Sequence, residues 1–295
     1  MNNSEILYLY DAKLTNPNGD PDEENRPRMD DECNLVTDLR LKRYIRDYLL
    51  DQGEKLYVQK VDGQSVTGEQ RVSELKLDKL ETDAQRAEKV LEEYIDVRLF
   101  GATMPIKGHN MQFTGPVQFN WGYSLNQVEL LEAGITSHFS SAEKNRQGAM
   151  GKDYRVKYSL LAFSGVISGR RAEKTRLREE DVQRMDQALR YAIPLQATRS
   201  KIGQYPRLYL RIEYHDQETI LGDLRSYLRL ERTSGLNDIS QVGVMIDRLL
   251  DFLKENQDRM KRIHYFADPR LALVYDNEEI SLKEALEGFP LCEVR

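Results

Sequence analysis

The order in which the hydrophobic period changes along the chain is its tightest constraint. Ile6 to Tyr10 is a short apolar and aromatic run, which predicts a strand. At 100° per residue Leu41, Tyr44, Ile45, Tyr48 and Leu49 fall on one face, which predicts a helix entered near Leu35 and capped by Thr37 or Asn34. From Phe113 to Tyr123 apolar types stand at the odd positions, the pattern of a strand carried on to 125. A second strand follows over 154–168. A helix from about Glu179 to Ala192 turns Val182, Met185 and Leu189 inward, and Leu208, Leu210, Ile212 and Tyr214 alternate in a last strand. Strand, helix, strand, strand, helix, strand predicts an α+β fold, with an antiparallel sheet backed by two helices in the ferredoxin-like or split βαβ manner. Further α/β material follows Gly222.

Between these elements lie less regular stretches. Asn16-Pro-Asn-Gly-Asp-Pro21 through Arg26-Pro-Arg28 carries three prolines and an Asn-Gly pair, so it reads as a long irregular loop. Structureless connections of that length are usually functional or disordered. Residues 55–66 read as a polar hairpin or short strands turning at Asp62-Gly63. Residues 70–95 read as mostly helical, with Leu77, Leu80, Ala84, Ala87, Leu91 and Tyr94 at helical spacing. The polar run from Gly134 to Asp153, with Met150 between glycines, reads as a projecting β-hairpin. The apolar run Ser159–Ser168 is far short of the ~20 residues that cross a bilayer. No signal peptide follows Met1, and two cysteines make no disulfide framework, so a cytoplasmic protein that binds no membrane is expected.

With 43 basic and 49 acidic residues the chain carries a net charge of −6, yet the charge is uneven. Residues 144–178 hold ten bases (Lys144, Arg146, Lys152, Arg155, Lys157, Arg170, Arg171, Lys174, Arg176, Arg178) and two acids. A local excess of that kind marks a directed surface. Lys42, Arg43 and Arg46 lie together on the flank of the first predicted helix, three further cations presented beside its buried face. Catalytic signatures are weak. His109, His138, His215 and His264 lack metal-ligand spacing, Ser168 lacks the nucleophile frame, and the glycines around Met150 miss the phosphate-loop pattern. Asp20, Asp22, Glu23 and Glu24 are the best candidate metal ligands, but the cluster departs from the calcium-loop pattern. No cofactor and no metal are expected.

Five ordered blocks carry a resemblance. They are Asn16–Pro21 after a first strand, Arg26-Pro-Arg28, Val36-Thr-Asp-Leu-Arg-Leu-Lys-Arg43, Gly115-Pro-Val-Gln118, and Met150-Gly-Lys152 before an aromatic strand. Together they resemble the backbone subunit of the type I CRISPR surveillance complex, Cascade, closest to its I-B and I-C branches. Thr198-Arg-Ser-Lys-Ile-Gly203 is a looser match. The resemblance implies a non-catalytic member of the repeat-associated mysterious protein superfamily in antiviral defence. It implies one modified RNA-recognition-motif palm over 1–295, with a helical fingers insertion at 50–95 and a thumb hairpin at 134–154. Such subunits stack head to tail on crRNA beside other Cascade subunits and display the guide to a target DNA strand.

Carried onto this chain, the resemblance places Arg40, Lys42, Arg43 and Arg46 on guide phosphates, Asn16, Asn18, Arg26 and Arg28 beside the RNA, and Met150 and Lys152 on the thumb. Arg146, Arg155, Arg199 and Lys201 complete the expected RNA-binding set. The physical requirement agrees in kind. A guide of arbitrary sequence must be held by sugar and phosphate, because its base edges are reserved for the target. Met150 is either a wedge between bases or a hairpin residue that meets a neighbouring subunit. Some relatives cut RNA, so a metal-dependent ribonuclease using the acids at 20–24 is the alternative.

Overall fold

A computed structural model describes residues 1–60, 64, 66–106, 109–136 and 150–295. The fold is α+β, as the periodicity predicts. Its centre is a ten-stranded sheet whose middle runs, in spatial order, Met260–Ala267, Gln204–Tyr214, Ser4–Thr15 and Met150–Ile167. The first strand pairs antiparallel with both long neighbours, in register from Ser4↔Ile167 to Thr15↔Val156 on one side and from Ser4↔Glu213 on the other. It is longer than the Ile6–Tyr10 core that marks it in the sequence, because buried polar residues Ser4, Glu5 and Asp11 extend it. Among the described residues no helix is long and apolar enough to cross a membrane.

Alternation sends neighbouring side chains of one strand to opposite faces. Ile6, Tyr8 and Tyr10 pack against helices Asp38–Asp51 and Glu179–Leu195. Leu7 and Leu9, with Leu208, Leu210 and Ile212, pack instead under the C-terminal residues Leu224, Leu249, Leu253 and Leu286. Both faces of the sheet are therefore covered. The first helix buries Leu41, Tyr44, Ile45 and Leu49, and its N-cap is Thr37, whose hydroxyl accepts from the Arg40 amide. Asn34 is no cap. It lies in the strand Cys33–Val36, so the helix starts after Leu35, not near it.

Other boundaries differ from the sequence reading. The 113–125 stretch is three pieces, His109–Thr114, Val117–Phe119 and Gly122–Ser124, broken at Gly115-Pro116 and at Asn120-Trp121. Phe113 packs in a separate cluster with Leu77, Val90, Leu91 and Tyr94, whereas Val117 and Phe119 belong to the helix-side core. Residues 70–95 are helical in fragments, Gly68–Glu74, Leu77–Lys79 and Asp83–Glu93, and Ala84 is exposed. The 16–28 loop is not wholly irregular: Gly19–Asp20 and Arg26–Pro27 pair around a short 3-10 turn. At the expected hairpin, Leu130–Thr136 pairs antiparallel with the long strand from Leu130↔Val156 to Thr136↔Met150. Its tip, with Arg146, lies outside the described residues, as do the Met150 side chain and the Asp62-Gly63 turn.

Candidate nucleic-acid interface

Two central strands have their ends beside a third that runs past them. The first strand finishes at Thr15, the long strand passes through Lys152–Arg155, and the turn at Ser200-Lys201 leads into Gln204. Two backbone features allow this convergence. Leu14 takes a left-handed φ of 50°, bending the strand end so that its carbonyl accepts from Arg155 Nη1 at 2.8 Å. Gly203 has φ +97°, and a Cβ there would stand 2.5 Å from the Lys13 carbonyl oxygen, so only glycine fits this close approach.

The 16–28 loop folds over the start of the first helix. Asn18 Oδ1 accepts from both the amide and the hydroxyl of Thr37 at 2.9 Å, tying the loop to the helix cap. The result is a cleft of about 490 Å³ lined by Asn16, Asn18, Arg40, Lys152, Tyr154 and Lys201, among others. Asn16 is buried, and its amide nitrogen donates to the carbonyls of Asn25 at 2.6 Å and Tyr154 at 3.2 Å.

Arg40 and Lys201 set the electrostatics of this cleft. The Arg40 guanidinium lies 4.0 Å over the Tyr44 ring. Among the described residues it has no hydrogen-bonded or ion-paired acceptor, and its buried Nε is without a partner. Lys201 Nζ donates to the Asn16 carbonyl and, among the described residues, pairs with no carboxylate. Burial first, then the Arg40 charge, push the Lys201 ammonium down from 10.5 to about 7. The cleft thus holds a guanidinium and a desolvated amine, and its two carboxylates, Glu24 and Asp153, bond to Tyr154, Arg155 and Arg199 and not to them, a combination that favours an incoming anion.

Around them the remaining basic residues are held in place by acids. Asp153 accepts from Arg155 at 2.9 Å and from Arg199 at 3.2 Å. Arg26 stacks 4.8 Å from the Tyr154 ring, and Lys152 reaches Glu132 at 3.0 Å. The Tyr154 hydroxyl donates to Glu24. These four basic side chains form a rim, each leaning on Tyr154 or on a carboxylate. Asp153, Tyr154 and Glu24 are missing from the sequence-derived set. The local signal for the first two is that Asp153-Tyr154 interrupts a basic run at Lys152 and Arg155, whereas Glu24 stands in the acidic cluster read as candidate metal ligands.

Four expected residues do not join the cleft. Lys42 is buried against Asp38 at 3.0 Å and Gln118 at 3.1 Å. Arg46 is clamped to Asp96 at 3.0 Å and stacks on Phe100. Arg43 is exposed but paired to Asp47 at 2.6 Å, one turn along the helix. The flank of three presented cations is therefore replaced by two structural ion pairs and one surface pair. Arg28 turns back onto Asp20 at 2.5 Å.

A family model described as CRISPR-associated protein Cas7 matches residues 2–247. The chain belongs to the Cas7 family. A Haloferax volcanii protein named CRISPR-associated protein Cas7 is 36% identical over 313 residues, covering 96% of this chain and 92% of that relative. Solved structures share the fold of this Cas7 family chain. A chain of a solved CRISPR RNA-guided surveillance complex in a pre-nicking state aligns with TM-score 0.59 at 11% identity, over 99% of this chain and 96% of that one. A chain of a second CRISPR RNA-guided surveillance complex aligns with TM-score 0.51 at 12% identity, over 94% and 95%.

Proposed function

We propose that this Cas7 family chain is a non-catalytic backbone subunit of a type I surveillance complex in the cytoplasm. In this reading it holds crRNA by sugar and phosphate, stacks head to tail with further copies, joins other Cascade subunits, and leaves the guide bases free for a target DNA strand. The central sheet with its two helices then serves as the RNA-recognition-motif-like palm. The helical cluster before residue 115 serves as fingers and the Leu130–Thr136 hairpin as thumb, within a single domain. The Arg40–Lys201 pair carries the reading: a stacked, acceptor-free guanidinium beside an uncompensated amine fits a phosphate. An ordinary RNA-recognition motif stacks bases on its sheet face, but here that face lies under the C-terminal residues, which favours the strand ends as the RNA path.

Arg26, Lys152, Arg155 and Arg199 follow as rim contacts, and Asn16 and Asn18 as sugar and backbone contacts. Arg28, Lys42, Arg43 and Arg46 act from behind this surface or along the helix, and Arg146 and Met150 are further thumb contacts in this reading. The ribonuclease alternative has less support. Asp20 is spent on Arg28 and on the Asp22 amide, and among the described residues no three His, Cys, Asp or Glu side chains converge as metal ligands.

Fluorescence anisotropy with mixed-sequence single-stranded RNA tests the reading. Arg40→Ala is expected to weaken binding evenly across sequences and to lower the salt slope by about one unit. An unchanged slope with intact affinity would remove Arg40 from the interface. Magnesium-dependent RNA cleavage abolished by Asp20→Ala would favour the alternative.

A further inference from the structure

Lys201 stands apart from the amines around it. Lys152 reaches Glu132, and Lys13 on the first strand reaches Asp238 at 2.6 Å. Among the described residues no ion pair involves Lys201, and its amine donates to the Asn16 carbonyl. The charged groups facing it come from every neighbouring element. The first helix presents Arg40; the long strand presents Lys152, Asp153 and Arg155; the 3-10 loop presents Glu24; and its own turn presents Arg199. The first strand and the strand after Lys201 contribute neutral groups, Thr15, Asn16 and Gln204. Both acids hydrogen-bond to other groups and not to the amine: Asp153 is shared by Arg155 and Arg199, and Glu24 accepts from Tyr154.

Arginine stays charged at all ordinary pH values, whereas a desolvated lysine releases its proton readily. The empty cleft therefore has one fixed positive charge and one conditional charge. A phosphate oxygen entering beside Arg40 screens the guanidinium and supplies the opposite charge that the amine lacks.

We propose that Lys201 is a proton-linked contact: it takes up a proton as a phosphate of single-stranded RNA enters the cleft beside Arg40, so that holding RNA is coupled to proton uptake. This rests on the RNA-holding role argued for the cleft. The sign follows from the free state, where burial and Arg40 hold the amine at about 7. Below that value the amine is already charged and RNA affinity is independent of it. Above it, binding draws a proton from solvent, and affinity falls by up to about tenfold per pH unit until the bound amine itself titrates.

The test compares the wild-type chain with Lys201→Arg, which keeps its charge throughout. Anisotropy titrations with one mixed-sequence oligoribonucleotide at fixed ionic strength run from about pH 6 to about pH 9. The wild type is expected to lose affinity above neutrality, and Lys201→Arg to give a flat profile. Parallel profiles, or a flat wild type that still binds, would overturn the proton linkage while leaving RNA binding intact. No binding at any pH by either chain would overturn the RNA reading and the linkage with it. Calorimetry of the wild type in buffers of different ionisation enthalpy decides independently of how the variant folds. Uptake approaching one proton per cleft above neutrality supports the linkage, and zero uptake sinks it.

Discussion

Glu213 illustrates how much of this molecule depends on single buried charges. Its carboxylate lies 3.6 Å from His264 Nε2 and 2.7 Å from Lys261 Nζ, near the end of a central strand. The His264 contact first, with Lys261 and Arg211 adding to it against the cost of burial, holds Glu213 at about 2, below its ordinary 4.5. A depressed carboxyl stabilises the fold fully above its unfolded value, and the contribution disappears as pH falls through 4.5 towards 2. Glu213→Gln is therefore expected to be less stable than wild type at neutral pH and to differ from it progressively less in that acid window. Urea midpoints measured against pH check this, and two curves separated by a constant offset would refute it. The same long-range chemistry hid the fate of Arg46 from the sequence. Its partner Asp96 lies 50 residues away, and spacing along one helix does not report such a partner. Arg40 was visible as a helix cation, but its lack of a partner was not.

At the scale of elements, the helical cluster before residue 115 shows what local patterns reveal and what they miss. Helix Asp83–Glu93 begins at a capping box on Thr82 and Gln85, and its apolar spacing is plain in the sequence. The strict alternation of 113–123 is equally plain, yet it runs across two element boundaries. Gly115 stops one of them: a Cβ there would sit 2.0 Å from the Phe100 carbonyl carbon, so two backbones cross where alternation alone implies a continuous strand. Periodicity reports pitch, not which core a side chain enters, and so Phe113 and Val117 part company unannounced. Arg98 ties the cluster to the long helix, buried and doubly bonded to Asp181 at 2.7 Å. Removing one partner of such a pair strands a buried charge at a cost of about 3–5 kcal/mol. Arg98→Ala is expected to speed amide exchange across Asp83–Phe100 far more than in the Ser4–Thr15 strand. Equal acceleration in both would mean that the pair does not act as a local fastener.

On the scale of the whole molecule, one sheet serves two cores, and consecutive residues of the first strand are divided between them. Ile6, Tyr8 and Tyr10 belong to the helix side, and Leu7 and Leu9 to the C-terminal side. Neither side can lose its packing without exposing the other face of the same strands, so the two cores should unfold together. This arrangement also directs charge outward. With both faces filled, Arg40 at the start of the first helix and Lys201 in the turn before Gln204 stand outside both cores, despite a net charge of −6. Ile6→Ala and Leu7→Ala truncate adjacent side chains into different cores, and each is expected to cost about 2–5 kcal/mol. Coupling predicts that both variants shift one shared denaturant midpoint, followed by far-ultraviolet circular dichroism and by the single tryptophan, Trp121. If each variant instead moved its own separate transition, the sheet would be acting as a boundary between independent units, and the strand ends would not be held in register by both cores.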